Sequence, residues 1–137
     1  MVYSRGTRAS AYQSVATHSG VAMDDPHRLT LMLLDGALAR LAAARGCIEH
    51  NVPGEKAKLL HRSIEIIQEL RGSLDLSAGG QIAANLDELY DYIERRLLKA
   101  NLESNPQIIA EVSSLVQTIR DGWAEIHVDA RSRPTGT

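Results

Sequence analysis

The five histidines and the single cysteine are the residues of this sequence that could hold a metal or act as nucleophiles. Metal centres inside helical bundles use Glu-x-x-His pairs, which project both side chains from one helix face. The residues three positions before the histidines are Val15, Asp24, Cys47, Lys58 and Ala124. None of them is glutamate, and Cys47 has no Cys-x-x-Cys partner, so we predict no metal site, no cofactor and no catalytic residue.

His61 keeps one catalytic alternative open. Histidine phosphotransfer domains are four-helix bundles with an exposed histidine in the middle of a helix, and His61 lies at the edge of a polar helix face. The residues after it, Arg-Ser-Ile-Glu, lack the Lys-Gly pattern that is usual in that class. Phosphotransfer is therefore the alternative function, and a binding protein is the main hypothesis.

A tyrosine and its neighbours form a first candidate binding surface. Tyr90 and Tyr92 are two residues apart, so they point about 200° away from each other on a helix. Tyr90 flanks the apolar stripe, whereas Tyr92 shares an outer face with Asn85, Glu88, Arg96 and Lys99. Tyrosine and arginine are enriched at protein interfaces, so this outer face is a candidate binding surface. The alternative interpretation is a solvated helix face that carries one incidental tyrosine. Another side of this helix carries acidic residues that we expect to serve solubility: Asp87, Asp91 and Glu94.

The composition is that of an ordinary globular chain, and we expect residues 1–137 to form a single domain. Its 137 residues are 44% hydrophobic and 23% charged, with a net charge of −2. That near balance argues against nucleic-acid binding, which requires a strong positive excess. A lone cysteine excludes an internal disulfide, and no apolar run approaches the ~18 residues that span a bilayer. We therefore predict a cytoplasmic protein without membrane insertion or a secretory signal.

Proline and glycine divide the chain into helices. Asp25-Pro26 and Asn105-Pro106 are predicted helix starts. The acidic or amide side chain can cap the first turn, and the N–H that proline lacks would have no partner at the first helical position in any case. The predicted helices span 12–17, Pro26 to about His50, 55–74, 81–103 and 106 to about Val128. Four long helices with short turns predict an all-α, antiparallel up-down four-helix bundle with a short N-terminal cap helix. Residues 1–11 and 129–137 are expected to be disordered.

Each of the three longest helices has an apolar stripe that should face the core. Ile82, Leu86, Leu89, Ile93, Leu97 and Ala100 form the stripe of the helix over 81–103. Ile108, Val112, Leu115, Ile119, Trp123 and Ile126 form that of the last helix, where Trp123 is predicted to be a core residue. Leu34, Ala37, Leu38, Leu41, Ala44 and Ile48 form that of the helix from Pro26.

The helix from Pro26 has a second apolar stripe, which is surplus to a bundle in which each helix needs one apolar face. It contains Leu29, Met32, Gly36, Ala43 and Cys47 and is shallow, because three of its members are small. A shallow strip lets another helix approach closely. One interpretation is that the N-terminal segment around Tyr12 packs there, and the other is that a partner's amphipathic helix binds there.

Residues 79–97 resemble a segment of a known family. They read Gly-Gly-Gln-Ile-Ala-Ala-Asn-Leu-Asp-Glu-Leu-Tyr-Asp-Tyr-Ile-Glu-Arg-Arg-Leu, and the flagellin-specific export chaperones of the FliS family have GGEIA-x-NL-x-x-LYDYI-x-RRL. Residues 33–38 resemble the end of the family's MLYDGAL stretch, and Tyr12 and Trp123 also match family positions. Leu34 replaces the tyrosine of that stretch, and Gln81 replaces the glutamate of GGE.

The resemblance implies a non-catalytic, cytosolic chaperone for the disordered C-terminal region of flagellin. Covering that region would prevent premature polymerisation and keep flagellin competent for type III export. In the free protein, the segment bearing Tyr12 would lie over part of the binding groove. Together with the two candidate surfaces, the resemblance predicts flagellin contacts at Tyr12, Leu29, Met32, Leu33, Gly36, Ala43, Asn85, Tyr90, Tyr92 and Arg96. It leaves contacts with the export gate and an anti-sigma factor open, and the surplus stripe leaves a homodimer of the unbound protein open.

Overall fold

The computed structural model describes residues 25–132, with side chains up to Ile126. Four helices make up this part of the chain: α1 over Pro26–Glu49, α2 over Pro53–Gly72, α3 over Leu76–Glu103 and α4 over Pro106–Ser132. The predicted short helix over 12–17, the loose residues 1–11 and the contact residue Tyr12 lie outside the described residues.

Local capping explains where α1 and α4 begin. The Asp25 carboxylate accepts a hydrogen bond of 3.1 Å from the backbone N–H of Arg28. The Asn105 side chain likewise accepts one of 3.0 Å from the backbone N–H of Gln107. In both cases proline follows the cap, so the predicted cap-plus-proline starts are confirmed.

Three helices have boundaries that differ from the prediction. α2 covers Pro53–Gly72 rather than 55–74, and α4 continues to Ser132, so residues 129–132 are helical rather than disordered. α3 begins at Leu76 instead of residue 81, because the Asp75 side chain caps an extra helical turn. A kink at Gly80, with φ 57° and ψ −136°, separates that turn from the rest of α3.

Contacts between helix ends show that neighbouring helices run antiparallel. The Lys56 ammonium at the start of α2 donates to the carbonyl of Asn101 near the end of α3, at 3.0 Å. The Trp123 indole N–H in α4 donates to the carbonyl of His27 at the start of α1, at 3.1 Å. α1 and α3 each pack against α2 and α4. The helices thus form a closed up-down ring, and the predicted four-helix bundle is confirmed.

The core is aliphatic and contains the residues that helical periodicity selects. Leu34, Ala37, Leu41 and Ala44 of α1 are fully buried, as are Ile93, Leu97 and Ala100 of α3 and Ile109, Val112 and Val116 of α4. The sequence prediction was correct for α1 and α3, whereas in α4 the fully buried Ile109 and Val116 lie beside the predicted stripe, in which Leu115 and Ile119 are only partly buried. Burial of each leucine, isoleucine or valine side chain contributes about 1.5–3 kcal/mol, which is the main stabilisation available to a chain without phenylalanine.

Two residues assigned to the core stripes lie outside the core. Ile82, two residues after the kink at Gly80, is 75% exposed. Ile126 is 61% exposed. Trp123 already lies beside His27, the second residue of α1, so Ile126 extends one turn beyond the start of that helix.

Lys56 is a buried charge that the sequence did not reveal as structural. Its ammonium donates to Ser104 Oγ at 2.6 Å as well as to the Asn101 carbonyl. Ser104 ends α3 in the left-handed conformation, with φ 47°. A cation at a helix C-terminus is favoured by the helix dipole, so Lys56 both caps α3 and ties it to α2.

Candidate functional site

An apolar groove of about 450 Å³ opens at the end of the bundle where α1 starts, α2 ends, α3 starts and α4 ends. All four helices contribute to it, among them Thr30 of α1, Leu74 at the end of α2, Leu86 of α3 and Ile119 of α4. Its volume lies in the range of pockets that bind ligands or anchor side chains. The groove is therefore the candidate binding site.

The floor of the groove is rigid core, and Trp123 forms one wall. Leu34, Leu70 and Tyr90 line the bottom and are at most 3% exposed. The Trp123 indole stacks on the His27 imidazole with ring centroids 4.7 Å apart and an angle of 13° between the planes. Trp123 is only partly buried and packs against the core from outside, so the prediction of a core tryptophan is corrected to a groove wall.

The opposite wall consists of the start of α3. Ala78, Gly79 and Ile82 line the groove there, although Ile82 is 75% exposed. Leu76, in the same turn, is 53% exposed. Ile82 thus stands exposed in the lining of an apolar groove, where an occupant would bury it, and Leu76 is exposed next to the lining residue Asp75.

The surplus stripe of α1 is not an open groove at Leu29 and Gly36, and the predicted contact residue Leu33 beside it is buried as well. Leu29 is 1% exposed and Leu33 is 4% exposed. A Cβ at Gly36 would lie 3.9 Å from Ile66 Cδ1 of α2 and 3.2 Å from the Arg40 guanidinium, which donates to the Gly36 carbonyl. At Gly36 the closely approaching helix is therefore α2 itself, because each helix of a ring packs on two neighbours.

The remaining members of that stripe reach the surface to different degrees. Ala43 is exposed, and Met32 and Cys47 are half-buried. They lie apart from the lining of the groove at the bundle end. Of the predicted contact residues between 25 and 126, Tyr90 is the one that the structure brings into that groove.

Tyr92 and Arg96 lie together, as predicted, but against α4 rather than on a freely solvated face. The Tyr92 hydroxyl donates to Glu111 Oε2 at 2.6 Å, and Arg96 Nε donates to Glu111 Oε1 at 2.8 Å. These two bonds lower the pKa of the Glu111 carboxyl, and the bond to Glu111 raises the pKa of the Tyr92 hydroxyl. Asn85 is exposed and accepts a hydrogen bond from Gln81.

The lowered pKa of Glu111 predicts an acid dependence of stability. A carboxyl with a folded-state pKa below its unfolded value stabilises the protein above that unfolded value, and the stabilisation is lost as pH falls through the folded-state pKa. We expect Glu111→Gln to lower the melting temperature at pH 7 and to flatten its decline as the pH falls below about 4.5, the ordinary pKa of a glutamate carboxyl. Thermal unfolding by circular dichroism measures this, with exposed Glu125→Gln as the control, whose profile should follow the wild type. Parallel profiles for Glu111→Gln and the wild type would contradict the assignment.

The acidic residues on the other side of α3 do more than keep the protein in solution. Arg71 of α2 donates to Asp87 at 2.7 Å and to Asp91 at 3.1 Å, and it lies 4.0 Å from Glu94. The hydrogen bond to Asp87 is the main cause of a raised pKa for Arg71, and burial raises the pKa of Glu94. This cluster joins α2 to α3 just below the groove.

Comparison with known families decides which kind of protein this is. Residues 8–130 match the family described as flagellar protein FliS. The chain belongs to the FliS family. It is 44% identical over 117 residues to the flagellar secretion chaperone FliS of Salmonella typhimurium, covering 85% of this chain and 87% of that protein. It is 42% identical over 112 residues to the flagellar secretion chaperone FliSB of Pseudomonas aeruginosa, covering 82% and 89%.

A third relative extends the match along the chain. The flagellar secretion chaperone FliS of Escherichia coli is 36% identical over 126 residues, which is 91% of either chain. The resemblance of residues 79–97 to the FliS family is thereby confirmed, and the chain is a chaperone of flagellar secretion by family.

The features considered for other functions are placed as follows. His61 is an exposed residue of α2, 3.7 Å from Glu65, far along the helix from the groove. Within residues 25–132, no three His, Cys, Asp or Glu side chains come together to hold a metal ion. None of the described helices of this FliS family member is long and apolar enough to cross a membrane.

Sequence reasoning missed the groove itself. It assigned Leu34, Leu86, Ile119 and Trp123 to helix stripes and read Leu76–Gly80 as a break, without a reason to bring them together. The available signal was the pair of large aliphatic residues that flank Gly79-Gly80, since a turn exposed to water seldom needs them.

Proposed function

We propose that this chain binds the C-terminal region of flagellin in the cytoplasm, prevents its premature polymerisation and keeps it competent for flagellar export. The groove at the bundle end carries this proposal, because it offers a preformed apolar surface to an unfolded export substrate. Membership in a family of flagellar secretion chaperones supports it.

The free-energy balance of such binding favours an apolar site. A disordered segment that folds on binding loses about 2–5 kcal/mol or more to ordering, and it must recover that from buried apolar contact. The groove supplies core side chains at its floor and Trp123 at its wall. Buried tryptophan at the centre of an interface is typical of residues that dominate binding energy.

Beyond the groove, we propose that the bound segment continues along the seam between α3 and α4. Asn85, Tyr92 and Arg96 lie on the α4 side of α3, and Tyr92 and Arg96 contact Glu111 across the seam. The Met32 and Ala43 surface of α1 and the segment with Tyr12 remain proposed further contacts. Leu29 and Leu33 would take part only after a rearrangement, because they are 1% and 4% exposed, and at Gly36 the side chain of Ile66 of α2 already lies close by.

Removing the C-terminal region of flagellin tests the proposal. We expect full-length flagellin to form a roughly equimolar complex and flagellin without its last several dozen residues to form none, because the groove is proposed to hold that region. Size-exclusion chromatography with light scattering gives the stoichiometry and also detects a homodimer of the free chain. Undiminished binding of the truncated flagellin would overturn the assignment.

A further inference from the structure

One wall of the groove is a short segment held only at its two ends. We call Leu76–Ile82 the lip. Leu74 packs against the core before it, and Ala83 is 5% exposed after it. Every residue of the lip is exposed, including Leu76 at 53% and Ile82 at 75%. The residues on either side of the lip are therefore packed against the bundle, whereas the side chains within the lip are exposed to water.

The turn at the start of the lip is held together by bonds within itself. The backbone N–H of Gly79 donates to the Asp75 carbonyl at 2.7 Å. The Asp75 carboxylate accepts from the Ala78 N–H and the Ser77 hydroxyl, each at 3.0 Å. The side-chain bonds described for residues 75–80 stay inside this turn, so it can move as a unit without breaking a side-chain bond to the bundle.

Two glycines give the lip a hinge. Gly80 has φ 57° and ψ −136°, a conformation that residues with a side chain rarely adopt. A Cβ added to Gly79 would lie 2.6 Å from the Ala83 Cβ, so Gly79 lets the turn sit directly on the base of the groove. Gly80 is therefore the point at which the first turn of α3 changes direction relative to the rest of the helix.

We propose that the lip is a movable wall: its first turn, Leu76–Gly79, swings about Gly80 and closes Leu76 onto the apolar face of the bound segment, next to Ile82. The identity of that segment, the flagellin C-terminal region, rests on the function proposed above. In the free protein these two side chains face water, and they gain burial only when an occupant fills the groove. Closure thereby makes the lip a determinant of affinity for apolar segments.

A dye experiment tests the lip without flagellin. The probe is 1-anilinonaphthalene-8-sulfonate, and energy transfer to it from Trp123, the sole tryptophan, reports dye in the groove. We expect Leu76→Ser/Ile82→Ser in the full chain to lower this transfer at least five-fold. The matched control is Leu102→Ser, which removes a residue that is 87% exposed at the other end of the bundle and should leave the transfer unchanged. Equal transfer in the lip variant and the control would overturn the proposal.

Hydrogen exchange measures the movement itself. We expect amides of residues 76–83 to exchange at least ten-fold more slowly when the dye or a flagellin C-terminal peptide is bound. Gly80→Ala should lose that protection, because alanine restricts the hinge, whereas Gly46→Ala should keep it, since nothing lies within 4 Å of a Cβ there. If the exchange rates of these amides are unchanged when the dye or the peptide is bound, the lip is rigid and the proposal is overturned.

These experiments distinguish failure of the flagellin assignment from failure of the lip proposal. If the peptide does not bind the wild type but the dye still slows exchange in the lip, the flagellin assignment fails and the movable wall stands. If the peptide binds Leu76→Ser/Ile82→Ser as tightly as the wild type, the lip proposal fails and the flagellin assignment stands.

Discussion

Replacing Trp123 with alanine is expected to weaken binding of the flagellin C-terminal region about 30-fold or more while the bundle remains folded. Trp123 forms a wall of the groove, and truncation of a central aromatic residue typically costs a binding interface about 2 kcal/mol or more. The protein should survive, because the indole is only partly buried and packs against the outside of the core. Isothermal titration calorimetry measures the affinity, and circular dichroism measures the fold.

Trp123→Phe is the matched variant for the wall. It retains a ring to stack on His27 but removes the N–H that donates to the His27 carbonyl at 3.1 Å. We expect it to recover most of the affinity that alanine loses, since the apolar wall is restored. Unchanged affinity of Trp123→Ala would move the binding site away from the groove. If Trp123→Ala is unfolded, Trp123 is a core residue, as the apolar stripe of its helix had predicted.

Leu97→Ala is expected to lower the free energy of unfolding by about 2–5 kcal/mol, whereas Leu98→Ala next to it should change that quantity by about 0.5 kcal/mol or less. Leu97 is 0% exposed in the middle of α3, and Leu98 is 55% exposed. Whole-domain stability is about 5–15 kcal/mol, so the first loss is a large share of it. Urea unfolding followed by circular dichroism measures both values.

The two leucines control for each other, because both substitutions remove the same atoms from neighbouring positions of one helix. Their difference therefore isolates burial from helix propensity, in which leucine and alanine differ little. Equal losses for the two variants would mean that the core face of α3 is assigned incorrectly.

Much of this protein was determined by local sequence. The starts of α1 and α4 follow from an acidic or amide cap followed by proline, which needs only neighbouring atoms. The core faces of the long helices follow from the 3.6-residue period, because burial repeats with the turn of the helix. Residues 79–97 also identified the family from sequence, since their match to the FliS segment depends on residue order alone.

The packing of the helices around one another was decided only by tertiary structure. Periodicity defines the faces of a helix but not which neighbour each face meets, so the second stripe of α1 could not be assigned from sequence. At Gly36 that stripe meets α2, and Asp87 and Asp91 meet Arg71 instead of water. Each of these contacts joins residues on different helices, where local spacing contains no information.

The groove is the feature most dependent on the assembled bundle. It exists because four helix ends meet, and because Gly80 turns the first residues of α3 away from the path of the rest of that helix. Ile82, which the helix period alone assigned to the core, lies two residues after this kink and is 75% exposed. The sequence determined which side chains are apolar, and the meeting of the helix ends decided which of them are buried and which surround the groove.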